Sequence, residues 1–212
     1  MHPRHLFLAL AIAASASAHA QSSSTAALPR PAEFYFDADA MTTRQVVAVR
    51  ESGDAATERL LRLIARNPRA KAEHAQLAHL AMEGGRVDLG RELYARALVR
   101  IDSADGLWRP VMWNYGWDLY RAGDAAAALE QWGAILAARN TTAAWVPPTL
   151  AIALWKLDRR DEAVAWYAAA VRTEPGQWSG SDKFATLLPG WRDDERATLA
   201  QVHAAWAARR AL

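Results

Sequence analysis

Apolar residues in the middle of this chain recur at helical spacing, and the recurrence is itself repeated. Leu77-Ala78 with Ala81, Tyr115-Gly116 with Leu119, and Leu150-Ala151 with Leu154 share one offset. Each sets a large residue beside a small one, with a further apolar or small residue three positions on. In a helix these positions lie on one face, and the small residue lets a neighbour approach closely. A second pattern follows each of these. Gly90, Ala128 and Ala163 stand 38 and 35 residues apart, and each leads to an aromatic residue, Tyr94, Trp132 or Tyr167. Apolar pairs then close the pattern at Ala97-Leu98, Ile135-Leu136 and Ala170-Val171. Between the two halves stand Gly85-Arg86, Gly123-Asp124 and Asp158, residue types that stop one helix and begin another. The pattern predicts antiparallel helix pairs, each unable to bury its apolar face without stacking on the next.

A fainter copy precedes the three units. Gly53-Asp54, Ala56, Leu60 and Pro68 reproduce part of the second half, which makes residues 37–68 a degenerate repeat. Asp37-Ala38-Asp39 reads as the N-cap of a helix starting near Met41, in preference to an Asp-x-Asp cation site. The aromatics Phe34-Tyr35-Phe36 are expected to cover the first helix pair. After Pro175 comes a turn-rich stretch, then a final helix from Asp193 to about Arg210. Its acids open it, its arginines close it, and Leu199, Val202 and Trp206 recur on one face. A terminal helix of this kind is expected to cap the open end of a stack.

The first twenty residues fall outside this pattern. A basic start at Arg4, an apolar run from Leu6 to Ala14, and Ala18-His19-Ala20 form a secretory leader with a small-residue cleavage site. The run is too short to span a bilayer. Cleavage is expected before Gln21, leaving a periplasmic or secreted protein with no membrane span. Residues 21–36, rich in Ser, Thr, Ala and Pro, are expected to be a flexible linker.

Composition agrees with helix and narrows the chemistry. Alanine is nearly a quarter of the 212 residues, against 11 glycines and 9 prolines. The formal charge is only +2, so no polyanion such as nucleic acid is implied as a partner. Zero cysteines exclude disulfides, thiol catalysis and cysteine-bound metal. His74 and His79 are five apart and make a poor metal pair on one helix. No His-Glu-x-x-His, Gly-x-Ser-x-Gly or phosphate-binding glycine loop is present. Ser179-Gly180-Ser181-Asp182-Lys183 lacks Ser-x-x-Lys spacing. The basic run Arg59, Arg62, Arg66, Arg69 and Lys71 is interleaved with apolar residues as the wet side of a helix. The expectation is a protein without catalytic residues, metal or cofactor.

The unit Trp113-Asn114-Tyr115-Gly116-Trp117-Asp118-Leu119-Tyr120-Arg121-Ala122-Gly123-Asp124, continuing to Ala128-Leu129 and Trp132, resembles the tetratricopeptide repeat. Two departures stand out: Asp158 replaces the turn glycine of the third unit, and Gly90 the usual alanine of the first. The resemblance covers about residues 37–175. It implies an all-α, right-handed α-solenoid of antiparallel helix pairs with a C-terminal capping helix. It also implies a concave groove lined by Trp113, Trp117, Tyr120 and Arg121, then Trp145, Ile152, Trp155 and Lys156. In the preceding unit the matching positions are Ala75, His79, Met82 and Glu83. All ten tryptophans lie between Trp108 and Trp206. The expected function is a protein–protein interaction module, binding an extended peptide or a partner's helix in an aromatic groove. The alternative is a non-catalytic, glycan-binding protein of the cell wall.

Overall fold

The computed structural model describes residues 28–31, 33, 37–139 and 142–210. The expected leader, most of the expected linker and Phe34-Tyr35-Phe36 lie outside the described residues. Among those described, all regular structure is helical. Three helix pairs form its body: α3 (Lys71–Glu83) with α4 (Val87–Leu98), α5 (Trp108–Arg121) with α6 (Ala125–Arg139), and α7 (Val146–Lys156) with α8 (Arg160–Thr173). Each pair packs along its length. Before them come α1 (Ala40–Thr43) and α2 (Gly53–Arg66); after them α9 (Pro175–Trp178), α10 (Phe184–Leu187) and α11 (Asp193–Arg210).

The three turns within the pairs are the same structure built from different residues. Arg86 N–H bonds to Ala81 O at 2.8 Å, Asp124 N–H to Leu119 O at 2.9 Å, and Arg159 N–H to Leu154 O at 3.0 Å. Gly85, Gly123 and Asp158 each donate to the carbonyl three residues back. Paired bonds of this kind close a helix and need a left-handed residue at the turn. Gly85 and Gly123 supply it with φ of 76° and 89°, and Asp158 adopts it with φ 59°. The departure at Asp158 therefore changes the residue without changing the turn.

Packing follows the sequence pattern. Ala78, Gly116, Ala151, Ala128 and Ala163 are buried, and Tyr94, Trp132 and Tyr167 are fully enclosed between paired helices. Burying such rings is the largest apolar contribution a residue can make. α7 packs on α6, and α11 packs on both α7 and α8. Leu199 and Val202 are wholly buried in that contact.

The N-terminal region differs from a helix pair. The helix expected near Met41 lasts one turn, and the chain then runs without regular structure to Ser52. Val46, Val47 and Val49 disfavour helix by χ1 restriction. The side chain of Gln76 supplies the alternative: its Oε1 accepts from the amides of Ala48 (2.7 Å) and Val49 (2.8 Å), while Nε2 donates to Val49 O (2.9 Å). Residues 37–68 thus hold one long helix, α2, which buries Ala56 and Leu60 against α3. Its arginines 59, 62 and 66 are exposed.

Asp39 occupies the N-cap of α1, but its side chain makes no capping bond. Its buried carboxylate instead meets Arg109 Nη1 at 3.2 Å, Arg139 Nη1, and the indole N–H of Trp145 at 3.1 Å. Asp37 caps the Asp39 amide at 2.8 Å and pairs with Arg139 at 3.0 Å. This clasp ties the strap of residues 37–49 across the first helices of the stack. The sequence offered capping as the role of Asp37-x-Asp39; three donors from α5, α6 and the start of α7 claim Asp39 instead.

Candidate functional site

The predicted groove positions converge, but as an interior. Trp113, Trp117, Tyr120 and Trp145 are less than a tenth exposed, and Ile152 is fully buried. Four of the five are rings that interlock. Trp113 meets Trp145 edge to face at 4.7 Å and Trp117 at 5.7 Å; Trp117 meets Trp132 at 5.1 Å. Two covers close over this stripe. The strap reaches it through Asp39 to Trp145, and through Asn114, whose Nδ2 donates to Arg44 O at 2.9 Å. From the other side Trp191 stands 5.1 Å from Trp117, edge to face. The open aromatic groove implied by the resemblance is therefore filled by this chain's own ends.

The remaining groove positions are engaged at the rim. Arg121 lies over Trp117 at 5.0 Å and pairs through Nε with buried Glu195 at 2.8 Å. Glu195 also accepts from the Arg192 amide at 2.7 Å, so it joins α11 to α5. Trp155 is partly exposed, donates to Gln201 at 2.8 Å and carries Arg160 on its face at 3.8 Å. Lys156 is exposed and, with Arg121 and Arg192, borders a cleft of about 480 Å³. Burial of Tyr120 pushes its phenol up to about 12.

By its place in the sequence His79 is a poor metal ligand and a groove position. In the structure its Nδ1 lies 2.9 and 3.0 Å from the two oxygens of Asp118, whose carboxylate is 5% exposed. Tyr94 donates to the same carboxylate at 2.6 Å. The Asp118 hydrogen bond raises the pKa of His79, and burial with the neighbouring carboxylate raises that of Tyr94 well above its ordinary range. When protonated, the imidazole sets an opposite charge beside the buried Asp118 carboxylate, the arrangement a buried carboxylate requires. This network borders a polar cleft of about 310 Å³ shared with Asn114, Trp117, Arg121 and Trp191.

A third cleft, of about 470 Å³, also borders Trp191 and has the more apolar lining. Trp113, Trp145 and Trp178 form much of its wall, with Pro148 and Pro189. Trp178 and Thr149 were not singled out by the sequence, since nothing marks them apart from other turn and helix residues. No group of three or more His, Asp or Glu positioned for a metal occurs among the described residues. No helix among them is long and apolar enough to cross a membrane. Comparison with protein-family models and with curated proteins finds no match to this chain, so the turns, the covered stripe and its two clefts carry the functional reading.

Proposed function

We propose that this protein is an exported interaction module of the tetratricopeptide type, a right-handed α-solenoid without catalytic residues. It captures an extended segment of a partner protein on the side where the first helices of the units face the strap. Three identical turns, small residues at Ala78, Gly116 and Ala151, and enclosed aromatics at Tyr94, Trp132 and Tyr167 support the repeat reading. The observation that carries the binding reading is the pair of clefts flanking Trp191, which reach the edge of the covered tryptophans. Trp113 borders both, and Trp117 and Arg121 border the polar one. Binding is thus confined to the margins between the stripe and its covers, and a partner adds to contacts that the chain already makes with itself.

A photocrosslinking residue at Thr43 or Gly190, which border the clefts, tests this in the native cell. One partner should recur with both probes and be missing with a probe at exposed Val99. Equal labelling from all three positions contradicts the reading. Intact mass of the same exported protein should correspond to a chain beginning at Gln21.

A further inference from the structure

Two side chains at the same place in consecutive units hold the strap by its backbone. Gln76 and Asn114 each stand two residues before the small position of their helix, at Ala78 and Gly116. Gln76 engages the amides of Ala48 and Val49 and the carbonyl of Val49, and Asn114 engages the carbonyl of Arg44. Farther along, the Ala144 amide donates to the Asp37 carbonyl at 3.1 Å. None of these bonds involves a strap side chain. Selectivity comes from Asp37 and Asp39, whose carboxylates meet Arg109, Arg139 and the indole N–H of Trp145. Buried Thr42 and Val49 complete the fit. The face of the stack beneath residues 37–49 is thus a seat for a length of chain that begins with Asp-x-Asp.

The strap fills this seat without help from the local chain. The bonds that hold it join residues at least 27 positions apart. Between the strap and α2 run Arg50, Glu51 and Ser52, all exposed, and the first two make no hydrogen bond among the described residues. Gly53 follows with φ 58°, and glycine adopts either hand of backbone at little steric cost. These residues form a hinge. A foreign segment would have to match both the acid pair and the backbone anchors, whereas the strap of a second copy matches them by identity. Closed and exchanged forms would then share their contacts and differ at the hinge, the low-cost route to a dimer. The strap also borders both clefts beside Trp191, through Ala38, Thr43 and Gln45. In an exchanged pair each of those clefts is built from two copies.

We propose that copies of this chain exchange straps, residues 37–49 of one lying on the first helices of the other. This goes beyond the interaction-module reading and does not depend on it. The tether holds each strap near its own seat at an effective concentration on the order of millimolar, so closed chains prevail in dilute solution and exchange grows with concentration. The chain has no cysteine, so introduced thiols report without background. Ala38 and Ala144 border one cleft, beside the bond between Asp37 and Ala144. Full-length Ala38→Cys protein is incubated with full-length Ala144→Cys protein at rising concentration and then oxidised. A disulfide-linked pair of unlike chains is expected, while the double variant in dilute solution closes within one chain. Excess blocked peptide of residues 37–49 should suppress the pair about tenfold, and the same peptide carrying Asp39→Asn far less, since it lacks the charge-assisted bonds to the arginines. No mixed pair, with the double variant still closing internally, shows a strap fixed in its own chain and overturns the proposal. A mixed pair that neither peptide suppresses also overturns it, because the copies then meet elsewhere. If exchange fails while the Thr43 and Gly190 crosslinks still recover one partner, the interaction module stands without it.

Discussion

Gly116 lies directly beneath the indole of Trp132. A Cβ at that position would stand 2.7 Å from Cδ1 and Cε2 of the ring and closer still to Nε1. The ring is wholly enclosed and also reaches Trp113 O at 3.4 Å, so it has nowhere to move. The glycine is present because its partner on α6 is a tryptophan.

Gly116→Ala should therefore overpack the α5–α6 contact and cost about 1–3 kcal/mol. Gly90→Ala makes a useful contrast. Its Cβ would meet the flexible side chain of Met82 and the Ala78 carbonyl at 3.1 Å, so part of the strain can relax. Urea denaturation of both variants checks the order. A Gly90→Ala loss larger than that of Gly116→Ala contradicts the packing.

The tryptophans should separate by burial. Trp117→Ala and Trp132→Ala should each cost about 3–5 kcal/mol, because both rings are enclosed. Trp155 is partly exposed, and losing its Gln201 bond and its Arg160 stack should cost about 1–2 kcal/mol. Thermal melts of the three variants decide it. A Trp117→Ala protein as stable as wild type would return that ring to an open groove.

The turn at Asp158 leaves stability unclaimed. An L-residue in the left-handed region pays a steric cost that glycine avoids. Asp158→Gly should raise stability by about 0.5 kcal/mol, after the greater entropy of glycine in the unfolded chain is set against it. Gly123→Ala, which adds a Cβ at the equivalent left-handed turn position, should lower it by about 1 kcal/mol. Scanning calorimetry of the pair reads both signs. Shifts in the same direction show that the two turns are not equivalent.

His79 should make stability fall as pH rises above neutrality. Its folded pKa is raised by Asp118, so its contribution is fully present below the unfolded value of about 6.5 and disappears as pH climbs through the higher folded value. Tyr94 faces the same carboxylate, while Glu83 supports the imidazolium and Arg121 opposes it. Unfolding free energies at about pH 6 and about pH 8 should differ in wild type and converge in His79→Gln. An unchanged pH slope in the variant assigns the titration to another group.

The local levels of this structure were legible in the sequence. Turn residues, the small position, and the buried aromatic of each second helix follow from helical spacing alone, because helix formation and pairing of neighbours in sequence depend on residues within about forty positions. Leu199, Val202 and Trp206 marked the apolar face of α11 for the same reason. Tertiary structure decided what covers the stack. Trp113 and Trp117 form a stripe that any helical wheel displays, but whether such a stripe meets solvent depends on segments far away in the chain. Asp39 reaches Trp145 across 106 positions and Glu195 reaches Arg121 across 74. Neither contact leaves a periodic signature, since a single ion pair or indole bond does not repeat.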